Sequence, residues 1–159
     1  MPRSYIQHAL IVTLSTLAVN VMATSETPQP ALVEQRIEAM KELKTQMKLI
    51  ADMVRGRTEF TALAIQQAAT EIAAHAPEIS GLFPEGSLHS PSNALPAIWE
   101  QKAKFDRLAT DLETNAVRLA NNAARQSQND SKKDFRQIGR VCAACHKHFR
   151  QKQKDDGED

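Results

Sequence analysis

Aromatic residues account for only 4% of this 159-residue chain, which also has just five glycines and two cysteines. Nowhere do apolar and polar residues alternate in the way that is typical of a half-buried β-strand. The abundant residues are instead alanine, leucine, glutamine, lysine and glutamate, which favour helices. Because the length suits one domain, we expect a single all-α domain.

The shortage of cysteine limits the sites that thiols can build. A zinc site usually needs two Cys-x-x-Cys pairs, and there is no second pair. A thioredoxin-like pair needs a βαβ context, and no strand pattern is present. Both cysteines lie in Cys142-Ala143-Ala144-Cys145-His146, which is the attachment signature of a c-type haem. The remaining alternative is a chance match in a structural helix.

The spacing of this motif fits the chemistry of haem attachment. Two thiols add across the two vinyl groups of one porphyrin, so Cys142 and Cys145 must lie close together on one side of the backbone. The imidazole of His146 can ligate the iron. On a helix these residues are at i, i+3 and i+4 and project from one face. We therefore predict one haem c, bound covalently through two thioethers, with its iron.

Residues 1–23 have the pattern of a cleaved secretory signal. Arg3 is basic, residues 9–22 are mostly apolar, and Val21-Met22-Ala23 suits a signal peptidase. The apolar run is too short and too interrupted for a good membrane span, although an uncleaved anchor is the alternative. Export to the periplasm of a Gram-negative-type bacterium suits haem attachment, and we expect no membrane association after cleavage.

The mature chain is electrically balanced. Cleavage removes one arginine and no acid, leaving 19 Lys and Arg against 19 Asp and Glu, so nothing in the charge indicates a nucleic-acid partner. Residues 24–30 are a polar leader, residues 31–154 are the folded domain, and residues 155–159 are an acidic tail that we expect to fray.

Hydrophobic periodicity predicts four amphipathic helices, at about 31–55, from Thr61 to near Pro77, at 96–124 and at 131–154. Asp130 or Ser131 is expected to cap the last helix, with Asp134 completing a capping box if Ser131 is the cap. The connection 81–96 is long for a bundle and rich in proline and glycine. Four such helices predict an antiparallel up-down-up-down four-helix bundle that holds the haem.

Met40 is the candidate sixth ligand of the iron. If the last helix ends near Lys154, His146 lies about eight residues, or about 12 Å, before its end. On the antiparallel first helix the matching height is near Met40, whereas Met47 and Met53 lie deeper and are expected to pack the core. A thioether is a soft ligand that favours reduced iron. His75 and His89 are rival ligands at the same end of the bundle.

The chain resembles the class II c-type cytochromes, the cytochrome c′ family, from about Leu32 to Lys154. The resemblance is carried by these motifs: Arg36-x3-Met40-Lys41-x5-Met47, Leu82-Phe83-Pro84, Pro96-Ala97-Ile98-Trp99, Lys104-Phe105-Asp106 and Ile138-Gly139-x2-Cys142-x2-Cys145-His146-x2-Phe149-Arg150. It implies that Cys142 and Cys145 form the thioethers and that His146 is the proximal ligand. It also implies that Arg36 lies near the haem propionates and Arg150 beside the proximal imidazole.

Within this family the resemblance is closer to the branch with a methionine ligand. Five-coordinate members hold an apolar residue without a ligating atom where this chain has Met40, so the resemblance implies six-coordinate, low-spin iron. Members often pair through their first two helices, which leaves a homodimer open. Gly139 is expected to allow close approach of a neighbouring helix or of the porphyrin.

These features predict a periplasmic electron carrier with no catalytic residue. The last helix is basic, and this surface could steer an acidic redox partner; its cations are Lys132, Lys133, Arg136, Arg140, Lys147, Arg150, Lys152 and Lys154. The alternative is a protein that binds nitric oxide or carbon monoxide at an open or labile sixth site. A peroxidase is a more distant alternative, because Glu38 and Glu42 are expected to face water.

Overall fold

The structure is a computed structural model that describes residues 29–152. The predicted signal at 1–23, the leader up to residue 28 and the acidic tail at 155–159 lie outside the described residues. Within 29–152, no helix is both long and apolar enough to cross a membrane.

Five α-helices and one 3-10 helix make up the described chain. The α-helices are α1 (Gln29–Val54), α2 (Ala62–His75), α3 (Ala97–Glu100), α4 (Lys102–Ala124) and α5 (Gln128–Phe149), and the 3-10 helix is Ala76–Leu82. The long helices pack in a ring in which α2 lies between α1 and α4, and α4 lies between α2 and α5. α1 meets α5 only sparsely. The predicted antiparallel four-helix bundle is confirmed.

The core forms where the apolar stripes of these helices meet. α4 buries residues spaced seven apart, Phe105, Leu112 and Leu119, which is two helical turns. α2 contributes Ile65 and Ile72, both fully buried. Small residues lie between these larger ones and let the helices approach closely; they are Ala68, Ala69, Ala109, Ala116 and Ala123.

The third predicted helix is divided in two. Gln101 has φ −125° and ψ 42°, which is outside the helical region, and it separates the single turn α3 from α4. Thr61 precedes α2 as predicted, but its side chain makes no capping hydrogen bond.

The start of α5 differs from the prediction. Ser127 takes the capping position, one turn before Asp130 or Ser131, because its carbonyl already accepts a hydrogen bond from the Ser131 amide at 2.9 Å. The Ser127 hydroxyl donates to Asp130 Oδ2 at 2.6 Å. The expected cap at Asp130 or Ser131 is therefore wrong.

Asp134 is a buried structural acid rather than a member of a capping box. It is 3% exposed and faces α4. Arg118 Nε donates to one of its carboxylate oxygens at 2.7 Å, and Asn122 Nδ2 donates to the other at 2.6 Å. A carboxylate removed from water needs such donors, so it fixes the register of α5 against α4.

The end of α5 also differs from the prediction. The helix ends at Phe149 instead of continuing to about Lys154. Arg150 is extended, with φ −123° and ψ 134°. Backbone hydrogen bonds to the long connection replace the helical ones: the Leu95 amide donates to Phe149 O at 3.0 Å, and the Gln151 amide donates to Asn93 O at 2.7 Å.

We expect Asp134→Ala to lower the free energy of unfolding by about 2 kcal/mol, because it removes the acceptor of two buried hydrogen bonds. Urea unfolding followed by circular dichroism measures this. The matched control is Asp111→Ala on the exposed side of α4, which should cost less than about 0.5 kcal/mol. Equal losses in the two variants would contradict a structural role for the buried carboxylate.

Candidate functional site

The two cysteines lie on the core stripe of α5. Ile138, Cys142, Cys145 and Phe149 follow one another at steps of four, three and four residues, which keeps them on one helical face. Ile138 and Phe149 are buried, and the half-buried thiols of Cys142 and Cys145 pack against the same core. Both thiols are free. A group attached to them therefore joins the core between α5 and its neighbours.

His146 follows directly and is exposed at the edge of this face. Partial burial of the ring, and then the positive charge of Arg150, lower the pKa of His146. The neutral imidazole is therefore favoured at neutral pH, and this is the form that ligates a metal. Arg150 affects the imidazole as the family resemblance implies, although its own side chain is exposed.

The thiols are protonated at neutral pH. Burial raises the pKa of Cys142. Burial, followed by the charge of Cys142, raises the pKa of Cys145 to about 11. A buried thiol with such a pKa is a weak nucleophile, which argues against a thiol–disulfide function. It is compatible with cysteines that are joined covalently to a group inside the core. The set of two thiols and one imidazole suits haem c.

Gly139 leaves open space on α5 one turn before Cys142. A Cβ built there would have no atom within 4 Å. The expectation that Gly139 lets a neighbouring helix approach closely is therefore wrong. The free space is compatible with the other expectation, that the porphyrin lies against this part of the helix.

Arg36 has different partners from the propionates that the resemblance implied. It is 4% exposed. All five of its N–H groups donate to the 82–95 loop, which begins at the last residue of the 3-10 helix and leads to α3. Nε and Nη2 donate to Leu82 O at 3.1 and 2.7 Å, and Nη2 also donates to Ser87 Oγ at 2.8 Å. Nη1 donates to Ser87 O at 3.2 Å and to Ser92 Oγ at 3.0 Å. The propionate contact that the resemblance implies stays a prediction.

A row of rings joins Arg36 to the end of α5. The guanidinium lies over the ring of Phe83, 4.0 Å from its centroid. Phe83 meets Phe105 edge to face at 5.1 Å, and Phe105 meets Phe149 in the same way at 5.2 Å. Arg36 and Phe149 therefore lie at the same end of the bundle.

The positions of Arg36 and Phe149 give an expected height for Met40. The earlier count from the end of the last helix is wrong, because α5 ends at Phe149. Since α1 and α5 are antiparallel, four residues forward from Arg36 correspond to four residues back from Phe149, about 6 Å for each helix. Met40 is thus expected near the level of Cys145 and His146, and it packs half-buried against the same core as the thiols.

The other candidate ligands lie elsewhere. Met47 and Met53 also pack against the core, but two and nearly four turns deeper along α1. His75 Nδ1 lies 3.4 Å from Glu78 Oε2 at the end of α2, and His89 is exposed in the loop. Both histidines stay alternatives to Met40 as the sixth ligand.

Ser87 and Phe83 are site residues whose roles the sequence analysis missed. Ser87 is fully buried, and Phe83 is 6% exposed. Phe83 was visible only as part of the Leu82-Phe83-Pro84 motif, and no pattern in the sequence connects either residue with Arg36, more than forty positions earlier.

Comparisons with known proteins identify the family. The family model described as Cytochrome C′ matches residues 31–150. The cytochrome c′ of Rhodopseudomonas palustris is 34% identical over 128 residues, covering 78% of this chain and 84% of the relative. Cytochrome c prime from Shewanella frigidimarina has a similar structure, with a TM-score of 0.75 and 28% identity, covering 79% of this chain and 98% of that one.

Two further solved structures share the fold at 22% identity. One is a nitric oxide complex of a mutant cytochrome c prime from Alcaligenes xylosoxidans, with a TM-score of 0.72, covering 79% of this chain and 97% of that one. The other is a cytochrome c′ described by ligand-controlled dimer dissociation, with a TM-score of 0.74, covering 80% of this chain and all of that one.

Replacing both cysteines, Cys142→Ala with Cys145→Ala, should abolish covalent haem attachment, because no other thiol is present in the chain. Acid–acetone extraction and mass spectrometry of the denatured protein measure this. Either single variant should retain one thioether and serves as the control. Haem that stays attached to the doubly substituted chain after denaturation would refute the assignment.

Proposed function

Because the chain belongs to the cytochrome c′ family and carries haem c with its iron, we propose that it is an electron carrier with Met40 and His146 as axial ligands. The main support for this proposal is the expected height of Met40, near the level of Cys145 and His146 by the residue count along α1 and α5. Haem bound at this site supplies a one-electron couple between ferric and ferrous iron. No residue of the chain is assigned an acid–base or nucleophilic role.

The residues around the site are suited to electron transfer without large movement. Cys142 and Cys145 hold the cofactor on α5, where Ile138 and Phe149 on the same face are buried in the core. The thioether of Met40 is held by the packing of α1. A peroxidase-like role finds no support, because Glu38 pairs with Lys41 on the surface at 2.5 Å.

The exposed side of α5 supports docking of an acidic redox partner. In the part of the chain that the structure describes, none of its lysines or arginines forms an ion pair with an acid. The exposed cations are Lys133, Arg136, Arg140, Lys147 and Arg150. Unpaired positive charge beside a redox site accelerates encounter with a negative partner.

A second candidate function is binding of nitric oxide or carbon monoxide. The comparisons favour it over electron transfer, because the relative is a cytochrome c′ and the solved structure from Alcaligenes xylosoxidans is a nitric oxide complex. This function requires a sixth site that is open, or a Met40 ligand that a gas displaces.

The dimer described for another family structure supports a homodimer for this chain under either function. Periplasmic export remains the proposed localisation, on the pattern of residues 1–23.

The ligand at the sixth position distinguishes the two functions. If Met40 binds the iron, the oxidised protein should be low-spin with a far-red thioether-to-ferric band. Met40→Ala should remove that band and give a high-spin, gas-accessible protein. Visible absorption of both proteins measures this.

Met47→Ala is the matched control, because it removes a thioether from the same stripe two turns away and should leave the spectrum low-spin. A high-spin spectrum in the unmodified protein would overturn the electron-carrier proposal and favour gas binding. A low-spin spectrum that persists in Met40→Ala would assign the ligand to another residue.

A further inference from the structure

The 82–95 loop is bonded at both ends to the helices that carry the proposed iron ligands. Its first part is bonded to Arg36 on α1, four residues before Met40. Its last part is bonded to residues 149–151, which begin three residues after His146 at the end of α5. α1 and α5 otherwise meet sparsely, so this loop supplies a connection that the helix packing does not.

The bonds to α1 depend on the forked shape of arginine. The five N–H groups of Arg36 reach four acceptors in the loop, all of them neutral carbonyl or hydroxyl oxygens. Ser87 Oγ, which accepts one of these bonds, donates in turn to Pro84 O at 2.7 Å. A lysine has three donors at one point and cannot reproduce a planar fork. Arg36 therefore fixes the loop by its geometry as well as by its charge.

The bonds to α5 are made by the backbone. Residues 93–95 and 149–151 run antiparallel, with a bridge between Ala94 and Arg150. The amides of Leu95 and Gln151 donate across this pair, to Phe149 O and Asn93 O. The ring of Phe83 adds a contact from the loop to Phe105 on α4, and Phe105 in turn contacts Phe149 at the end of α5. The end of α5 therefore cannot shift relative to Arg36 without breaking these bonds.

We propose that Arg36 and the 82–95 loop hold α1 and α5 at the separation that keeps Met40 on the iron, so that Arg36 is a positioning residue for this ligand. The inference rests on the proposed Met40 ligation. It assigns Arg36 an effect on the iron that acts through the loop.

Three substitutions test both ends of the loop. Arg36→Lys keeps the charge and loses the fork. Ser87→Ala removes one acceptor and leaves Arg36 unchanged. Gln151→Pro removes the amide that bonds to Asn93 O, and the extended Arg150 before it tolerates proline. Gln151→Ala is the matched control, because it removes the side chain and keeps the amide.

Two measurements are made on each holoprotein. The first is hydrogen exchange of the amides in residues 82–95, which reports on the loop itself. The second is the rate at which the reduced protein captures carbon monoxide, which reports on how often Met40 leaves the iron. Loss of one or two hydrogen bonds of ordinary strength should speed both by about tenfold in all three variants. Gln151→Ala should match the unmodified protein.

Each contrary result has its own meaning. If the unmodified protein is high-spin, the proposed function fails and this inference fails with it. If it is low-spin and exchange accelerates in the variants while capture does not, the loop does not position Met40. If Arg36→Lys behaves like the unmodified protein in both measurements, the charge alone suffices and the positioning role is wrong.

Discussion

The cysteines that bind the haem occupy core positions of α5, and the rest of the site depends on this constraint. Cys142 and Cys145 continue the stripe that Ile138 begins and Phe149 ends. A porphyrin on this stripe takes the place of core side chains and must be enclosed by the facing helices. α4 is already packed closely on α5, whereas α1 is not. A cofactor on this stripe would therefore find room on the side of α5 next to α1, where Met40 lies.

Such an arrangement needs α1 to be positioned by something other than direct contact with α5. Arg36 and the 82–95 loop meet this need by connecting α1 to the end of α5. The same need explains why the helix ends at Phe149: the backbone of residues 149–151 is used for pairing with the loop. A buried guanidinium is costly unless its donors are satisfied, and here every N–H group has an acceptor.

Sequence reasoning predicted the parts of the structure that depend on local pattern. The haem motif and the four long helices follow from spacing along the chain, whereas Met40 as an iron ligand stays a prediction. It failed where a distant partner decides the outcome. Asp134 has the spacing of a capping residue, but Arg118 and Asn122 bury it. Arg36 is bonded to a loop that lies more than forty residues away, a contact that no spacing in the sequence indicates. The end of α5 was extended too far because residues 150–154 carry no helix breaker.

The two candidate functions differ by the occupancy of one bond, since either can be built on the same bundle. A fixed Met40 fills the sixth position and favours electron transfer, whereas a Met40 that leaves the iron opens the site to a gas. If a change in the packing of α1 and α5 alters the free energy of Met40 binding to the iron by about 1.4 kcal/mol, the ratio of bound to unbound Met40 changes tenfold. This is the size of one or two hydrogen bonds, and the 82–95 loop contributes several. Whether the chain transfers electrons or binds a gas thus depends on residues of the loop, such as Ser87, as well as on Met40 itself.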